Sequence, residues 1–135
     1  MIFFFDACAV IYWVESKNPF YQKLLQGLKS IHDQYPEGSI AISRISVLEC
    51  RVRPLMEKNK ANLDLYEDFF SMDDLKIVEL TPEVIDLATD FRVKYLLKTP
   101  DALQAASAAS LKEETIFITG DTLFKKVHEL NLKLI

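Results

Sequence analysis

Short apolar runs alternate with longer amphipathic stretches along this chain, and that alternation constrains the fold more than any other feature of the sequence. The long stretches repeat apolar residues at helical spacing, whereas the short runs are apolar at every position, as in buried strands. Buried strands separated by helices are typical of a parallel sheet covered on both faces. The sequence therefore predicts an α/β protein, a three-layer α/β/α sandwich with a mainly parallel sheet. Strands are predicted at residues 2–5, 40–42, 75–80, 116–118 and 132–135.

Proline and capping residues mark where the predicted helices start and stop. A polar residue followed by proline is a helix start, with the polar residue as N-cap and proline in the first turn. Three such pairs occur, at Asn18-Pro19, Thr81-Pro82 and Thr99-Pro100. Pro54 is expected to end a helix over residues 43–53, because proline cannot continue the backbone ladder. Further helices are predicted at residues 7–14, 62–70, 102–111 and 121–129, and residues 1–135 show no linker and are expected to form one domain.

Composition and charge exclude several functional classes. The chain has 135 residues and a net charge of −4, so a broad basic face for duplex nucleic acid is not expected. Its three glycines form no phosphate-binding loop. Cys8 and Cys50 lack a C-x-x-C partner, which argues against a thiolate zinc site and favours a reducing, cytoplasmic compartment. The first residues lack the basic start of a signal peptide, and no apolar stretch reaches the ~20 residues of a membrane helix.

Four acidic residues stand where carboxylates are costly, beside apolar strands or inside apolar helices. Asp6 directly follows the first predicted strand, and Asp121 comes soon after the fourth. Asp101 opens an alanine-rich helix, and Glu49 lies in the helix that follows the second strand. In parallel sheets, binding sites form beyond the carboxyl ends of the strands. The sequence therefore predicts that these four carboxylates converge at one edge of the sheet.

Each of the four acids also has an ordinary structural role. Asp6 can cap the next helix by accepting from backbone N–H groups three residues on, and Asp121 can cap the last helix. Asp101, at the second position of its helix, is favoured by the helix dipole. Glu49 can form a capping box with Ser46 or simply lie at the surface. The four settings taken together, rather than any one of them, indicate a functional site.

Converging carboxylates repel one another, and a divalent cation would relieve that repulsion. Mg²⁺ and Mn²⁺ prefer carboxylate and water ligands. Such an ion polarises a phosphodiester oxygen and lowers the pKa of a water molecule, which then acts as the nucleophile. Without a metal, the neighbouring carboxyl groups are expected to have raised pKa values. The acidic pattern thus predicts metal-dependent phosphodiester chemistry.

In this order and context, the four acids resemble the motifs of the PIN-domain nucleases, and especially the small VapC-type toxins of bacterial and archaeal toxin–antitoxin pairs. The resemblance extends from Ile2 nearly to Ile135. Thr119, two residues before Asp121, matches a hydroxyl residue that supports the site in many members. The matching segments are Phe5-Asp6-Ala7-Cys8-Ala9-Val10-Ile11-Tyr12, Ser46-Val47-Leu48-Glu49, Thr99-Pro100-Asp101-Ala102-Leu103-Gln104-Ala105-Ala106 and Phe117-Ile118-Thr119-Gly120-Asp121-Thr122-Leu123-Phe124.

The resemblance implies a three-layer α/β/α fold and an endoribonuclease that depends on Mg²⁺ or Mn²⁺. It also implies that Asp6, Asp101 and Asp121 are metal ligands and that Glu49 joins them directly or through water. An RNA substrate, a cognate antitoxin and a homodimer are further implications of the resemblance. The antitoxin is expected to block the acidic edge, for example with an arginine among the carboxylates.

One position departs from the family pattern and leaves an alternative open. Two residues after the first aspartate, members usually have asparagine or serine, whereas this chain has Cys8, a weak hydrogen-bond donor. The alternative is a PIN-like module that binds RNA or protein with little or no catalysis. A haloacid-type phosphohydrolase would need a second aspartate at residue 8, and a receiver domain would need adjacent acids at the end of the first strand. Neither pattern is present.

Basic residues and histidines complete the set of candidate groups. Basic clusters near Glu49 and after Asp121 are expected to be solvated helix surface or to contact a polyanion. Both histidines lie in predicted helices and are expected at the surface. These residues are Arg44, Arg51, Arg53, Lys125, Lys126, His32 and His128.

Overall fold

The computed structural model describes all of residues 1–135 and contains five strands, six α-helices and one 3₁₀ helix. The strands are β1 (Ile2–Phe5), β2 (Ser39–Ser43), β3 (Lys76–Val78), β4 (Thr115–Thr119) and β5 (Leu132–Leu134). The α-helices are α1 (Ala7–Glu15), α2 (Phe20–Gln34), α3 (Arg44–Met56), α4 (Lys60–Phe70), α5 (Pro82–Tyr95) and α6 (Thr99–Ala109). The 3₁₀ helix, Thr122–Lys126, lies between β4 and β5.

All five strands are parallel, in the order β3-β2-β1-β4-β5. The central strand is β1, with Phe5 beside Ile42 of β2 and Ile118 of β4. The chain builds one half of the sheet outwards from β1 and then crosses over to build the other half from β4. The strand order therefore reverses between β1 and β4, and such a reversal leaves a crevice at the carboxyl ends of the strands. The predicted α/β class is confirmed, and the sheet is wholly parallel.

Alternating side chains of the sheet pack against helices on both faces. Phe4 points towards α5 and α6 and stacks on Phe117, with 5.4 Å between the ring centroids. Phe3 and Phe5 point to the opposite face, which helices α1 to α4 cover. Phe4, Phe5 and Phe117 have no exposed surface, and each buried ring stabilises the fold by roughly 1.5–3 kcal/mol. The three-layer arrangement is thus confirmed.

Helix α6 packs closely against its neighbours because alanines form its buried face. Ala102, Ala105, Ala106 and Ala108 all belong to the core, and none is more than 3% exposed. Small side chains allow the helix backbone to lie near the sheet and near α5. A larger residue on this face would cause overpacking and displace the helix, together with Asp101 at its start.

The predicted start of α2 is wrong. Pro19 itself precedes the first helical residue, Phe20, and no side chain caps the first turn. The N–H of Tyr21 instead donates to the carbonyl of Lys17 at 2.9 Å, so the backbone already turns before the helix begins. That backbone bond removes the need for a cap from Asn18.

The two threonine–proline starts have different outcomes. Thr81 caps α5 as predicted, because its hydroxyl accepts from the N–H of Val84 at 3.3 Å. Thr99 is not a cap but the first residue of α6, and Lys98 occupies the cap position. The Thr99 hydroxyl instead accepts from Arg92 Nη1 at 3.0 Å. A tertiary contact has therefore replaced the local cap, and Asp101 is the third residue of its helix rather than the second.

Helix α3 differs from its prediction at both ends. The hydroxyl of Ser43 caps it by accepting from the N–H of Ile45 at 3.3 Å, which excludes a capping box between Ser46 and Glu49. At the other end, the helix passes through Pro54 to Met56. A proline this near the end costs only one helical hydrogen bond, and its ring is buried.

The helix after β4 is shorter than predicted. Instead of a helix over residues 121–129, the chain forms the 3₁₀ helix Thr122–Lys126. Phe124 and Val127 are both buried in the core, three residues apart, which suits three residues per turn. The N–H of Val127 accordingly donates to the carbonyl of Phe124 at 3.0 Å.

None of the helices in this chain has both the length and the apolar composition that crossing a bilayer requires.

Candidate acidic site at the carboxyl edge of the sheet

A hydrogen bond between side chains joins the carboxyl ends of β1 and β4. Because Phe5 pairs with Ile118, the residues that follow, Asp6 and Thr119, lie side by side. The Thr119 hydroxyl donates to Asp6 Oδ2, and its oxygen accepts from the N–H of Asp121 at 3.0 Å. Thr119 has no exposed surface. One buried threonine therefore contacts two of the acids that the sequence singled out.

Asp6 is buried, and both of its carboxylate oxygens have donors. Oδ1 accepts from the N–H of Ala9 at 2.8 Å, so Asp6 caps α1 as predicted. Burial raises the pKa of Asp6 to about 6, the bonds from Thr119 and Ala9 oppose this rise, and the charges of Asp121 and Glu49 add to it. A cation placed near this carboxylate would lower its pKa again.

Glu49 reaches the same edge from α3. Its side chain is half-buried, and its Oε1 accepts from Gln104 Nε2 at 3.0 Å. Burial raises the pKa of Glu49, the bond from Gln104 opposes the rise, and the charge of Asp101 adds to it. Glu49 is therefore neither a cap nor a free surface glutamate, because it is tied to α6.

Asp101 extends from the first turn of α6. Burial raises its pKa, the charge of Asp121 adds to the rise, and Lys98 opposes it. The turn that precedes α6 is held by Arg92, whose Nε donates to the carbonyl of Leu97 at 3.0 Å. The position of Asp101 thus depends on contacts between α5 and the start of α6.

Asp121 is exposed and caps the 3₁₀ helix. Its Oδ1 accepts from the N–H of Leu123 at 2.9 Å. The prediction that Asp121 caps the last helix is confirmed, although that helix is a short 3₁₀ turn. The backbone of Asp121 is also fixed, because its N–H donates to the Thr119 hydroxyl.

All four acids line one cleft of about 360 Å³. None of them takes part in a salt bridge. No three His, Cys, Asp or Glu side chains are already grouped as a metal site requires. A set of oxygen acceptors without a cation fits a hard divalent metal, and binding would bring the carboxylates closer together. The remaining residues of the cleft are Ala7, Cys8, Gln104, Gly120, Thr122 and Phe124.

Cys8 lies in this cleft, at the position that departs from the family pattern. Burial raises the pKa of its thiol, so the side chain remains uncharged near neutral pH. Gly120 approaches it closely, since a Cβ there would lie 3.7 Å from Cys8 Sγ and 3.3 Å from the Tyr12 ring. The chain after β4 therefore passes directly over α1, and Cys8 lines the wall of the cleft as a neutral group.

Gln104 is the cleft residue that the sequence reasoning missed. It is 3% exposed, and its Nε2 donates to Ser46 Oγ at 2.8 Å as well as to Glu49. A signal was present in the sequence, because Gln104 is a polar residue three positions after Asp101 in an alanine-rich run. Three-residue spacing places both on one helix face.

The basic clusters and the histidines lie outside this constellation. All three arginines near Glu49 form exposed salt bridges with other acids, which confirms the solvated-surface interpretation for them. The pairs are Arg44–Glu79, Arg51–Glu67 and Arg53–Glu57. Both lysines after Asp121 and both histidines are exposed, namely Lys125, Lys126, His32 and His128.

The sequence predicted four acids at the carboxyl edge of a mainly parallel sheet between two helical layers. The structure has this arrangement, and it places the cleft where the strand order reverses. The family model described as PIN domain matches residues 3–130, and the chain belongs to this family. The resemblance inferred from the sequence motifs is confirmed at the level of the family.

Solved structures of toxin–antitoxin complexes share the fold over almost the whole chain. VapBC2 from Rickettsia felis, bound to a DNA fragment from its promoter, matches with a TM-score of 0.75 and 20% identity, covering 99% of this chain and 98% of that one. VapBC-1 from nontypeable Haemophilus influenzae matches with a TM-score of 0.76 and 15% identity, with the same coverage. DNA-bound VapBC from Salmonella typhimurium has a TM-score of 0.72 and 16% identity, covering 98% and 97%. Among curated protein sequences, no match was found.

Proposed function

We propose that residues 1–135 form one PIN domain that acts as a metal-dependent endoribonuclease, the toxin of a toxin–antitoxin pair. The observation that carries this proposal is a single cleft lined by four carboxylates, none of which has a cationic partner. Membership of the PIN-domain family supports hydrolysis of nucleic acid. Similarity to solved VapBC complexes supports the role as a toxin.

The acids of the cleft divide into ligands and supporting groups. Asp6, Asp101 and Asp121 would hold Mg²⁺ or Mn²⁺, with Glu49 joining them directly or through water. When bound, the ion supplies Lewis acidity towards a phosphodiester oxygen and a water nucleophile at neutral pH. Thr119 holds the Asp6 carboxylate by donating to Oδ2, so that Asp6 Oδ1 stays on the N-terminus of α1.

Single-stranded or structured RNA fits this cleft better than duplex DNA does. Binding to a duplex relies on a broad basic face, whereas this chain has a net charge of −4. No arginine lines the cleft, and Arg44 and Arg51 are already paired with glutamates. A flexible RNA segment can bring one phosphate to the carboxylates without such a face.

An antitoxin is supported by an exposed apolar stripe on α3. Leu48, Val52 and Leu55 are 62%, 46% and 58% exposed and follow one another at helical spacing. Their helix also carries Glu49, so a partner that covers the stripe would lie next to the acidic cleft. Exposed apolar stripes of this kind are typical of protein-binding faces. A homodimer remains a prediction, which light scattering of the purified protein would test.

Cleavage of labelled RNA tests the activity. We expect cleavage with Mg²⁺ or Mn²⁺, none with EDTA, and products with 5′-phosphate and 3′-hydroxyl ends, because water is the nucleophile. Asp6→Asn or Asp101→Asn should each lower kcat by about 10³-fold, since each removes a charge at the metal. Asp73→Asn is the matched control, because it makes the same change at an exposed acid outside the cleft.

Three outcomes would overturn the proposed hydrolysis. They are cleavage that persists in EDTA, full activity of both cleft variants, and 2′,3′-cyclic phosphate products, which would require attack by the 2′-hydroxyl of the RNA. RNA binding without metal binding or cleavage would instead favour a binding module. That second candidate is supported by Cys8 in the cleft and by the absence of three grouped ligands.

A further inference from the structure

A buried polar seam joins α3 to α6 beside the acidic cleft. On each side of this seam, the polar residues are spaced three apart, so that those within a helix share one face, and Ser43 extends its row as the N-cap of α3. The end formed by Ser43 and Ser107 is deep in the fold, and the end formed by Glu49 and Asp101 opens into the cleft. The polar seam consists of Ser43, Ser46 and Glu49 on one side and Asp101, Gln104 and Ser107 on the other.

Hydrogen bonds between the two rows of the polar seam fix the position of α3 along α6. The hydroxyls of Ser43 and Ser107 are bonded at 2.8 Å. One turn nearer the cleft, Gln104 Nε2 donates to Ser46 Oγ at 2.8 Å, and also to Glu49 Oε1 at 3.0 Å. Ser43, Ser46 and Ser107 have no exposed surface. Sliding one helix along the other would leave these buried groups unpaired, at about 1–3 kcal/mol each.

Gln104 is the member of the seam that has a buried polar atom without any hydrogen-bond partner. Its amide nitrogen uses both hydrogens, one on Ser46 and one on Glu49. That orientation follows from chemistry, because an ionised carboxylate only accepts and must face the nitrogen rather than the oxygen. Gln104 Oε1 is thus left as the only buried side-chain nitrogen or oxygen atom without a partner. A buried orphan acceptor in a residue that lines the cleft indicates a missing donor.

We propose that Gln104 is the positioning residue of the acidic site, holding Glu49 in register with Asp101 through its amide nitrogen while its Oε1 stays available as an acceptor. This inference rests on the proposed function, since the site it arranges is the proposed metal site. It assigns to Gln104 a role that none of the four acids can perform. A glutamate at this position would add a repelling charge, and an asparagine is one methylene too short to span both contacts.

Calorimetric titration with Mn²⁺ tests the role of Gln104 without relying on activity. Gln104→Met keeps the length and volume of the side chain and removes both of its hydrogen bonds together with the unpartnered acceptor Oε1. We expect the Kd for Mn²⁺ to rise 10–100-fold, the range typical when a residue that orients a metal ligand is lost. Ser46→Ala removes only the hydroxyl that accepts from the Gln104 amide. It should raise the Kd by a smaller factor, about 3–10-fold.

Ser107→Ala is the matched control, because it breaks the seam at the end away from the cleft. Its melting temperature should fall to a similar extent as that of Gln104→Met, while its Kd for Mn²⁺ stays within about twofold of the unaltered protein. Equal changes of Kd in Ser107→Ala and Gln104→Met, or no change in Gln104→Met, would overturn the positioning role.

Failure of the underlying function gives a different pattern of results. An unaltered protein that neither binds Mn²⁺ nor cleaves RNA overturns the proposed function, and the role of Gln104 falls with it. An unaltered protein that binds Mn²⁺ and cleaves RNA, together with a Gln104→Met variant that does both equally well, overturns only the role of Gln104.

Discussion

The acidic cleft has two sides that are built differently. On the strand side, Asp6 and Asp121 are fixed by the ends of β1 and β4 and by Thr119, which bonds to both. On the helix side, Glu49 and Asp101 extend from α3 and α6, and Glu49 is held through the long side chain of Gln104. Strand-end positions follow from sheet register, whereas helix-side positions depend on how two helices pack. The strand side is therefore held by sheet register, and the helix side by the hydrogen bonds that join α3 to α6.

Among substitutions on the strand side, the largest effect is expected from Asp6→Asn, on the pH dependence of stability. The pKa of Asp6 is raised to about 6 in the folded protein, above its ordinary value of 3.8, so the folded state binds the proton more tightly. The metal-free protein should therefore lose up to about 3 kcal/mol of unfolding free energy from this group as pH rises from 4 to 7. Asp6→Asn removes that loss and should be the more stable protein at pH 7.5. Urea unfolding in EDTA across this pH range measures it.

The comparison of Asp6→Asn with the unaltered protein isolates this one group. The other acids titrate in both proteins, so only the difference between their pH profiles reports Asp6. The two stabilities should differ least at pH 4 and below, where the folded carboxyl group is protonated and the unfolded one is only partly ionised. A difference that stays constant from pH 4 to pH 7.5 would show that burial does not raise this pKa.

A smaller effect is expected when the link between the two strands is removed. Thr119→Val preserves shape but leaves Asp6 without one donor and the N–H of Asp121 without its acceptor. We expect a loss of about 1–3 kcal/mol in unfolding free energy. RNA cleavage should fall about 10–100-fold, as is typical when the support of a metal ligand is lost.

Thr119→Ser is the control for that prediction, because it keeps the hydroxyl and removes only a methyl group. It should retain most of the activity while losing some stability from the buried space. Comparable losses of cleavage in the valine and serine variants would mean that the methyl group, not the hydrogen bonds, matters at this position.

The smallest effect is expected on the helix side, at the turn before α6. Arg92→Met keeps the apolar stem but removes the bonds to the carbonyl of Leu97 and to Thr99. We expect a loss of about 1 kcal/mol and a several-fold drop in cleavage, because the start of α6 positions Asp101. Arg53→Met, which breaks an exposed salt bridge with Glu57, should leave stability nearly unchanged. Equal effects of the two variants on cleavage would contradict this account of Arg92.

The strand side was predictable from sequence, and the helix side largely was not. An aspartate directly after a buried strand has few positions to occupy, so Asp6 and its bond to Ala9 could be expected from local pattern alone. Of the four acids, Glu49 depended most on resemblance to a family, since its partner Gln104 is 55 residues away. A contact of this kind depends on the relative position of two helices, which periodicity within each helix does not determine.

The wrong helix boundaries have the same origin. Thr99 has the local pattern of an N-cap, yet its hydroxyl binds Arg92 of the preceding helix. Asn18 also has that pattern, but a backbone bond from Tyr21 to Lys17 forms the turn instead. Residues 121–129 have helical propensity, but the burial of Phe124 and Val127 favours a 3₁₀ turn. In each case, a tertiary or neighbouring contact competed successfully with a local preference.

The bond between Thr119 and Asp6 joins residues that are 113 positions apart. Asp6 is thus synthesised well before Thr119, the residue that supports it. Contacts of such long sequence separation form late, since the intervening chain must first be ordered. A ribosome-bound chain that has not yet released β4 cannot assemble the strand side of the cleft. For a proposed toxin, this order of synthesis means that a nascent chain lacks the assembled site until β4 has been released.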